Sequence, residues 1–132
     1  MHVTAGWVIA FVLTLGLTAL SGQPVPIGPA QQEFQHSGET LTVFTYKPPT
    51  YKEGPLLVVF HGVNRNAEDY RNFAITLAER AKAVVIAPLF DRERFPSDRY
   101  QRGGLFKAGK PQPPADWTYT LVQDLVDEIR RR

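Results

Sequence analysis

The sequence predicts an α/β fold, because two short apolar runs flank a segment with helical periodicity. Residues 56–60 (LLVVF) and residues 83–87 (AVVIA) contain only apolar side chains. Such runs are typical of strands in a parallel sheet that is covered on both faces. Residues 67–81, between them, carry apolar side chains at helical spacing. The three segments together predict a βαβ unit with a right-handed crossover.

The composition is that of an ordinary globular chain with room for one domain. Hydrophobic residues make up 43% of the 132 residues and charged residues 21%. The net charge of +2 is too small to indicate nucleic-acid binding. The absence of cysteine excludes disulfides, thiolate metal sites and a cysteine nucleophile.

The first residues of the chain have the pattern of a secretory signal peptide. Residues 6–20 contain no charge and form a run shorter than the ~20 residues of a membrane span. Ala19 and Ser21 are small residues of the kind that a cleavage site needs. We therefore expect residues 1–22 to be removed, which leaves a periplasmic or extracellular chain without stable membrane association. The alternative is an uncleaved membrane anchor formed by residues 6–20.

The mature chain is expected to begin with an irregular segment and then a hairpin. Residues 23–32 contain several prolines and predict a linker, and residues 33–132 are expected to form the folded part. Residues 34–46 alternate between two faces around a Ser37-Gly38-Glu39 turn. This pattern predicts an antiparallel hairpin at the edge of the sheet.

The connection from the first predicted strand to the helix contains two residues with expected backbone roles. Gly62 is expected to turn the chain sharply at a positive φ, and Asn66 is expected to cap the helix. The helix should pack on the sheet through one apolar stripe, formed by Tyr70, Phe73, Ala74, Leu77, Ala78 and Ala81.

The C-terminal third is predicted to be a long loop followed by a helix. Residues 89–115 form the loop, which includes interleaved charges between Asp91 and Gly104. Such charges usually form surface ion pairs worth under about 1 kcal/mol each. If this loop has a function, its place after the second parallel strand favours shaping the mouth of a substrate site over catalysis. Asp116 is expected to cap the last helix, whose stripe is Trp117, Leu121, Leu125 and Ile129.

One ordered set of motifs resembles a known family. The segment HGVNRNAEDYR (residues 61–71), preceded by LLVVF and followed by AVVIAPLFDRERFP, resembles the oxyanion-loop region of secreted bacterial α/β hydrolases, in particular esterases related to polyhydroxyalkanoate depolymerases. The resemblance covers residues 34–132. It implies a partial α/β-hydrolase fold: an antiparallel edge hairpin, then the parallel βαβ unit and a further helix. In this family the nucleophile lies in a G-x-S-x-G turn after the next strand, and these 132 residues contain no such turn.

The resemblance also implies roles for residues of the His-Gly loop. The backbone N–H of Val63 is the implied oxyanion donor, with Asn64 as the alternative, and His61, Gly62 and Asn66 are implied to be structural. No nucleophile is identified, because Ser21, Ser37 and Ser97 lie outside a G-x-S-x-G context. No general base is identified, because the resemblance makes His61 the histidine that braces the loop. No cofactor is implied and no set of residues has metal-ligand spacing. The rival interpretation is that HGVNRN is only a tight turn between a strand and a helix.

Two hypotheses of function follow from different classes of protein. The first is a fragment of an exported serine-type hydrolase of small-molecule esters or polyesters, which supplies the oxyanion loop but lacks nucleophile, acid and base. Such a chain would be inactive alone and would need a C-terminal segment. The second is a noncatalytic α/β binding module for a small anionic ligand, with its site at Gly62 and the arginine-rich loop.

Overall fold

A computed structural model describes residues 22–132, which form an α/β unit around one mixed sheet. The four strands lie in the order β1-β2-β4-β3 and comprise β1 Gly28–His36, β2 Glu39–Lys47, β3 Leu56–Val58 and β4 Val84–Pro88. The predicted cleavage-site residues Ala19 and Ser21 and the alternative anchor lie outside the described residues. Within residues 22–132, no helix has the length and apolar character needed to cross a membrane.

The predicted hairpin is confirmed and is longer than expected. Strands β1 and β2 pair antiparallel from Gly28 opposite Lys47 to His36 opposite Glu39. Ser37 and Gly38 make the turn with φ values of 49° and 83°, a pattern whose twist suits a two-residue hairpin. The predicted linker is wrong over residues 28–32, which belong to β1. Pairing with β2 satisfies the backbone groups of these residues. Their sequence, GPAQQ, has no alternation of apolar and polar residues that would have predicted a strand.

The predicted parallel pair is also confirmed. Strand β3 runs parallel to β4, with Leu56 opposite Val84 and Val58 opposite Ile86. Strand β4 is buried throughout because it lies between β2 and β3. The expectation that both faces of residues 56–60 are buried is wrong: β3 is half-buried and Phe60 is 46% exposed. Among residues 22–132, β3 has β4 as its one neighbour, so its other edge is open.

The helical segment between the parallel strands is divided into α1 (Ala67–Phe73) and α2 (Ile75–Ala81). Ala74 and Ala78 pack against Val85 and Tyr46 on one face of the sheet. The predicted stripe is wrong at Phe73 and Leu77, which are 76% and 54% exposed, and at Ala81, which is also exposed. The buried face is narrower than predicted because small alanines bring the helices close to the sheet.

The opposite face of the sheet is covered by α3 (Thr118–Arg131). Three apolar side chains of α3 pack against β1, β2 and β4: Leu121, Leu125 and Ile129. The predicted cap is wrong: Asp116 ends a 3₁₀ turn over Pro114–Asp116, and Trp117 takes the capping position without a side-chain hydrogen bond. The predicted loop also contains a short hairpin, β5 (Phe106–Lys107) and β6 (Lys110–Pro111).

Candidate functional site

The loop of residues 61–66 leaves the carboxyl end of β3 and leads into α1. The N–H of Arg65 donates to Gly62 O at 3.2 Å, which makes residues 62–65 a tight turn. The expectation of a positive φ at Gly62 is wrong, because the left-handed residue of this turn is Arg65, with φ 59°. Gly62 has a different requirement: a Cβ atom there would lie 3.1 Å from the Tyr70 hydroxyl.

His61 lies beneath this loop with 3% of its surface exposed. Its Nε2 accepts the Phe90 N–H at 3.0 Å, and its Nδ1 lies 2.9 Å from Gly62 O. Because a carbonyl oxygen only accepts and a backbone N–H only donates, the ring is neutral with its proton on Nδ1. Burial lowers the pKa of His61, and the hydrogen bond to Gly62 O opposes this shift in part. Both ring nitrogens are thus occupied, so the ring braces the loop and is not free to act as a base.

The segment after β4 lies directly against the loop of residues 61–66. The Tyr100 hydroxyl donates to His61 O at 2.5 Å, and Arg92 Nη2 donates to Val63 O at 2.8 Å. In the other direction, Arg65 Nη2 donates to Phe95 O at 3.0 Å. Sequence reasoning placed this segment near the loop but did not single out Tyr100, whose only signal was an aromatic ring in a charged stretch.

The Arg65 guanidinium is held mainly by an aromatic ring. Its Cζ lies 4.5 Å from the centre of the Tyr100 ring. Its Nε and Nη1 atoms are buried and have no hydrogen-bond partner within residues 22–132. The attraction between a cation and a ring face offsets part of this cost.

Two backbone N–H groups of the loop are unused. Within the described part of the chain, neither the Val63 N–H nor the Asn64 N–H donates to a backbone carbonyl or a side chain. Both residues are exposed, Val63 by 65%. Asn66 stands at the capping position, but the expected cap is wrong because its side-chain amide donates to Asp69 Oδ2 at 3.0 Å. The loop therefore presents free donors at the carboxyl edge of the sheet, where ligands bind in open α/β sheets.

The arginines of the segment after β4 all have acceptors within the protein. Arg94 Nε donates to Asp91 Oδ2 at 2.7 Å, Arg102 pairs with Asp98 at 3.1 Å, and Arg99 pairs with Glu39 at 3.8 Å. Burial raises the pKa of Asp91, but hydrogen bonds from Arg94 outweigh it and hold this pKa below its usual range. These contacts are the expected surface ion pairs. Within residues 22–132, the four arginines of this segment therefore form no cluster of free cations that could hold an anionic ligand.

Among the described residues, no serine hydroxyl hydrogen-bonds to a histidine ring. Ser37, which follows His36 in the chain, and Ser97 are both exposed. His36 Nδ1 lies 3.3 Å from Asp124 Oδ2, a contact that joins the hairpin to α3. Within residues 22–132, the side chains of His, Asp and Glu form no group of three that could hold a metal ion.

Arg71 is a buried residue that sequence reasoning missed. It is 3% exposed, and its Nη1 donates to Thr45 O at 2.8 Å and to Ala30 O at 3.1 Å. These bonds attach α1 to both strands of the hairpin. The signal that was available is spacing, because Arg71 shares the buried line of Ala67, Ala74 and Ala78. A charged residue at such a position must find partners to be buried.

The sheet has helices on both faces and a His-Gly loop at its carboxyl edge, which is an α/β arrangement. The similarity to two solved hydrolase structures shows that the fold is that of part of an α/β hydrolase, as the resemblance of the His-Gly segment implied. No family model matches the chain, and no curated protein matches it.

Two of the solved structures that are similar to the chain are hydrolases. One is the poly(3-hydroxybutyrate) depolymerase LpqC from Bordetella parapertussis, at 37% identity and a TM-score of 0.72, over 80% of this chain and 38% of that chain. The other is poly(aspartic acid) hydrolase-1 from Sphingomonas sp. KT-1, at 29% identity and a TM-score of 0.72, over 81% of this chain and 42% of that chain. These similarities confirm the expected resemblance to bacterial hydrolases of the depolymerase type. The chain spans about two fifths of the length of each solved structure.

Proposed function

We propose that the chain is the N-terminal portion of an exported serine-type ester hydrolase and supplies its oxyanion loop. The observation that carries this proposal is the pair of free N–H groups at Val63 and Asn64, at the carboxyl end of β3. In acyl transfer, negative charge develops on the carbonyl oxygen of the substrate. Donors that already point at that oxygen stabilise the transition state by about 10²- to 10³-fold in kcat for each donor.

The proposed substrate is an ester or a polyester. One similar structure is named as a poly(3-hydroxybutyrate) depolymerase, which acts on ester bonds, and the other as a poly(aspartic acid) hydrolase. A substrate carbonyl is the group that both activities share. The 37% identity to the depolymerase is the higher of the two, and it favours the ester.

The remainder of the enzyme is proposed to supply the nucleophile, base and acid. Its attachment point is the open edge of β3, where a further parallel strand would find unpaired backbone groups. Phe60, 46% exposed just past β3, lies beside this edge and would become covered. A strand at that edge would bring its own carboxyl end next to Val63 and Asn64, as a nucleophile turn requires.

Export with removal of the first 21 or 22 residues is part of the proposal. Its support is the uncharged run at residues 6–20 with small residues after it. N-terminal sequencing of protein from the periplasm or the medium should begin at residue 22 or 23. A membrane-bound product that retains Met1 would contradict it.

The test of activity is a complementation assay. The chain is purified alone and together with the separately expressed remainder of the hydrolase, and each sample is assayed with a p-nitrophenyl ester. We expect turnover only from the combined sample, because the nucleophile, base and acid act as a unit. Turnover by the chain alone that Ser37→Ala or Ser97→Ala abolishes would refute the proposal.

A further inference from the structure

The backbone carbonyls of His61, Gly62 and Val63 all accept hydrogen bonds, although the N–H groups of Val63 and Asn64 donate none within the described residues. His61 O accepts from Tyr100, Gly62 O accepts from His61 Nδ1 and from the Arg65 N–H, and Val63 O accepts from Arg92. In a planar trans peptide, the N–H points opposite to the preceding C=O. A bond to Gly62 O therefore sets the direction of the Val63 N–H. In the same way, a bond to Val63 O sets the direction of the Asn64 N–H.

We propose that Arg92 is a positioning residue that fixes the Val63–Asn64 peptide plane and thereby aims the Asn64 N–H as the second oxyanion donor. This proposal rests on the oxyanion role assigned above and names a residue that supports it. A tight turn such as that of residues 62–65 places successive N–H groups around an anion-binding hollow. That arrangement needs both peptide planes to be held, and Arg92 holds the one that His61 does not reach.

Arg92 differs from the other arginines of its segment in what it contacts. Arg94 and Arg99 donate within their own segment and to the hairpin, and Arg102 pairs with Asp98. Arg92 alone among these four donates to the loop of residues 61–66. The side chain of Arg92 is exposed, so its replacement leaves no buried carbonyl and is compatible with folding. Arg102, also exposed, is the matched control because its loss removes the same charge from the same segment.

The first test measures the motion of the two N–H groups by ¹⁵N relaxation in the purified chain. In the unmodified chain, we expect order parameters of about 0.85 at both Val63 and Asn64. Arg92→Met should lower the value at Asn64 below about 0.6 and leave Val63 unchanged. Arg102→Met should change neither. An Asn64 order parameter that is the same with and without the Arg92 side chain would overturn the proposal.

The second test measures kinetics in the chain combined with the remainder of the enzyme. Arg92→Met should lower kcat by about 10- to 100-fold with KM nearly unchanged, because a misdirected donor weakens the transition state and not substrate binding. Arg92→Lys should restore part of the loss, and Arg102→Met should have no effect. An unchanged kcat in Arg92→Met would overturn the role of Asn64. If the combined sample has no activity at all, the proposed function fails, and the relaxation measurement still decides whether Arg92 fixes the Asn64 N–H.

Discussion

The hydroxyl of Tyr100 donates to the backbone oxygen of His61, and the two rings lie 4.7 Å apart between centroids. Burial raises the pKa of Tyr100, so its hydroxyl remains protonated and able to donate across the neutral range. One residue of the segment after β4 therefore fixes both the backbone and the ring of the residue that braces the oxyanion loop.

The Tyr100 contact leads to a stability prediction. Tyr100→Phe keeps the ring packing but removes the donor to His61 O, which should lower the free energy of unfolding by about 1 kcal/mol. Urea unfolding monitored by far-UV circular dichroism measures the change. Tyr119→Phe is the control, because Tyr119 is 57% exposed. Equal stabilities of the Tyr100 and Tyr119 variants would show that the hydroxyl contributes nothing.

Removal of the N–H at residue 63 tests the oxyanion donor directly. Val63 is the second residue of the turn formed by residues 62–65, a position where proline is favoured. Val63→Pro should therefore fold normally yet lower kcat of the combined enzyme by about 10²- to 10³-fold. Val63→Ala keeps the N–H and should retain activity. A Val63→Pro enzyme as active as Val63→Ala would exclude this group as a donor.

The protonation state of His61 predicts a dependence of stability on pH. Burial lowers the pKa of His61 in the folded chain, whereas an unfolded histidine titrates near about 6.5. The unfolded chain thus binds more protons in the interval below about pH 6.5. The stability that neutral His61 contributes is therefore fully present above about pH 6.5 and is lost as the pH falls below it. The free energy of unfolding should fall by at most about 1.4 kcal/mol per pH unit in this range.

The same histidine can be observed directly. A ¹⁵N-resolved spectrum of the imidazole should show the Nδ1-protonated neutral form near pH 7, and its titration should lie below about 6.5. His61→Gln should flatten the stability profile between about pH 5 and 7 relative to the unmodified chain. A ring protonated on Nε2 would contradict the hydrogen bond from the Phe90 N–H.

Among these substitutions, replacement of the buried Arg71 should lower the free energy of unfolding most. Arg71→Met removes the guanidinium that donates to Thr45 O and Ala30 O, and we expect a loss of about 2–3 kcal/mol in the free energy of unfolding. Arg80→Met, on the exposed part of α2, should change stability by less than about 0.5 kcal/mol. Comparison of the two urea midpoints separates the lost bonds from the lost charge.

Sequence patterns predicted the strands and helices better than they predicted the side-chain contacts that hold the His-Gly loop and α1 in place. The parallel pair and the hairpin follow from apolar runs and alternation, which depend on local periodicity. The roles of Arg71 and Tyr100 depend on carbonyls 26 and 39 residues away, and no local pattern encodes such distances. The turn shows the same limit, because the left-handed residue is Arg65, and its stacking on Tyr100 is a tertiary contact.

Strand β4 lies between the antiparallel strand β2 and the parallel strand β3, and the fold disfavours any shift of its register against them. Successive side chains of a strand point to opposite faces, so a slip of one residue would exchange Val85 and Ile86. Val85 packs against Ala74 and Ala78, whereas Ile86 packs in the cluster that includes Leu125. The two faces differ in volume, and a slipped β4 would crowd one and leave the other underfilled. The alignment of all four strands is thus fixed by unequal helix layers on either side of one strand.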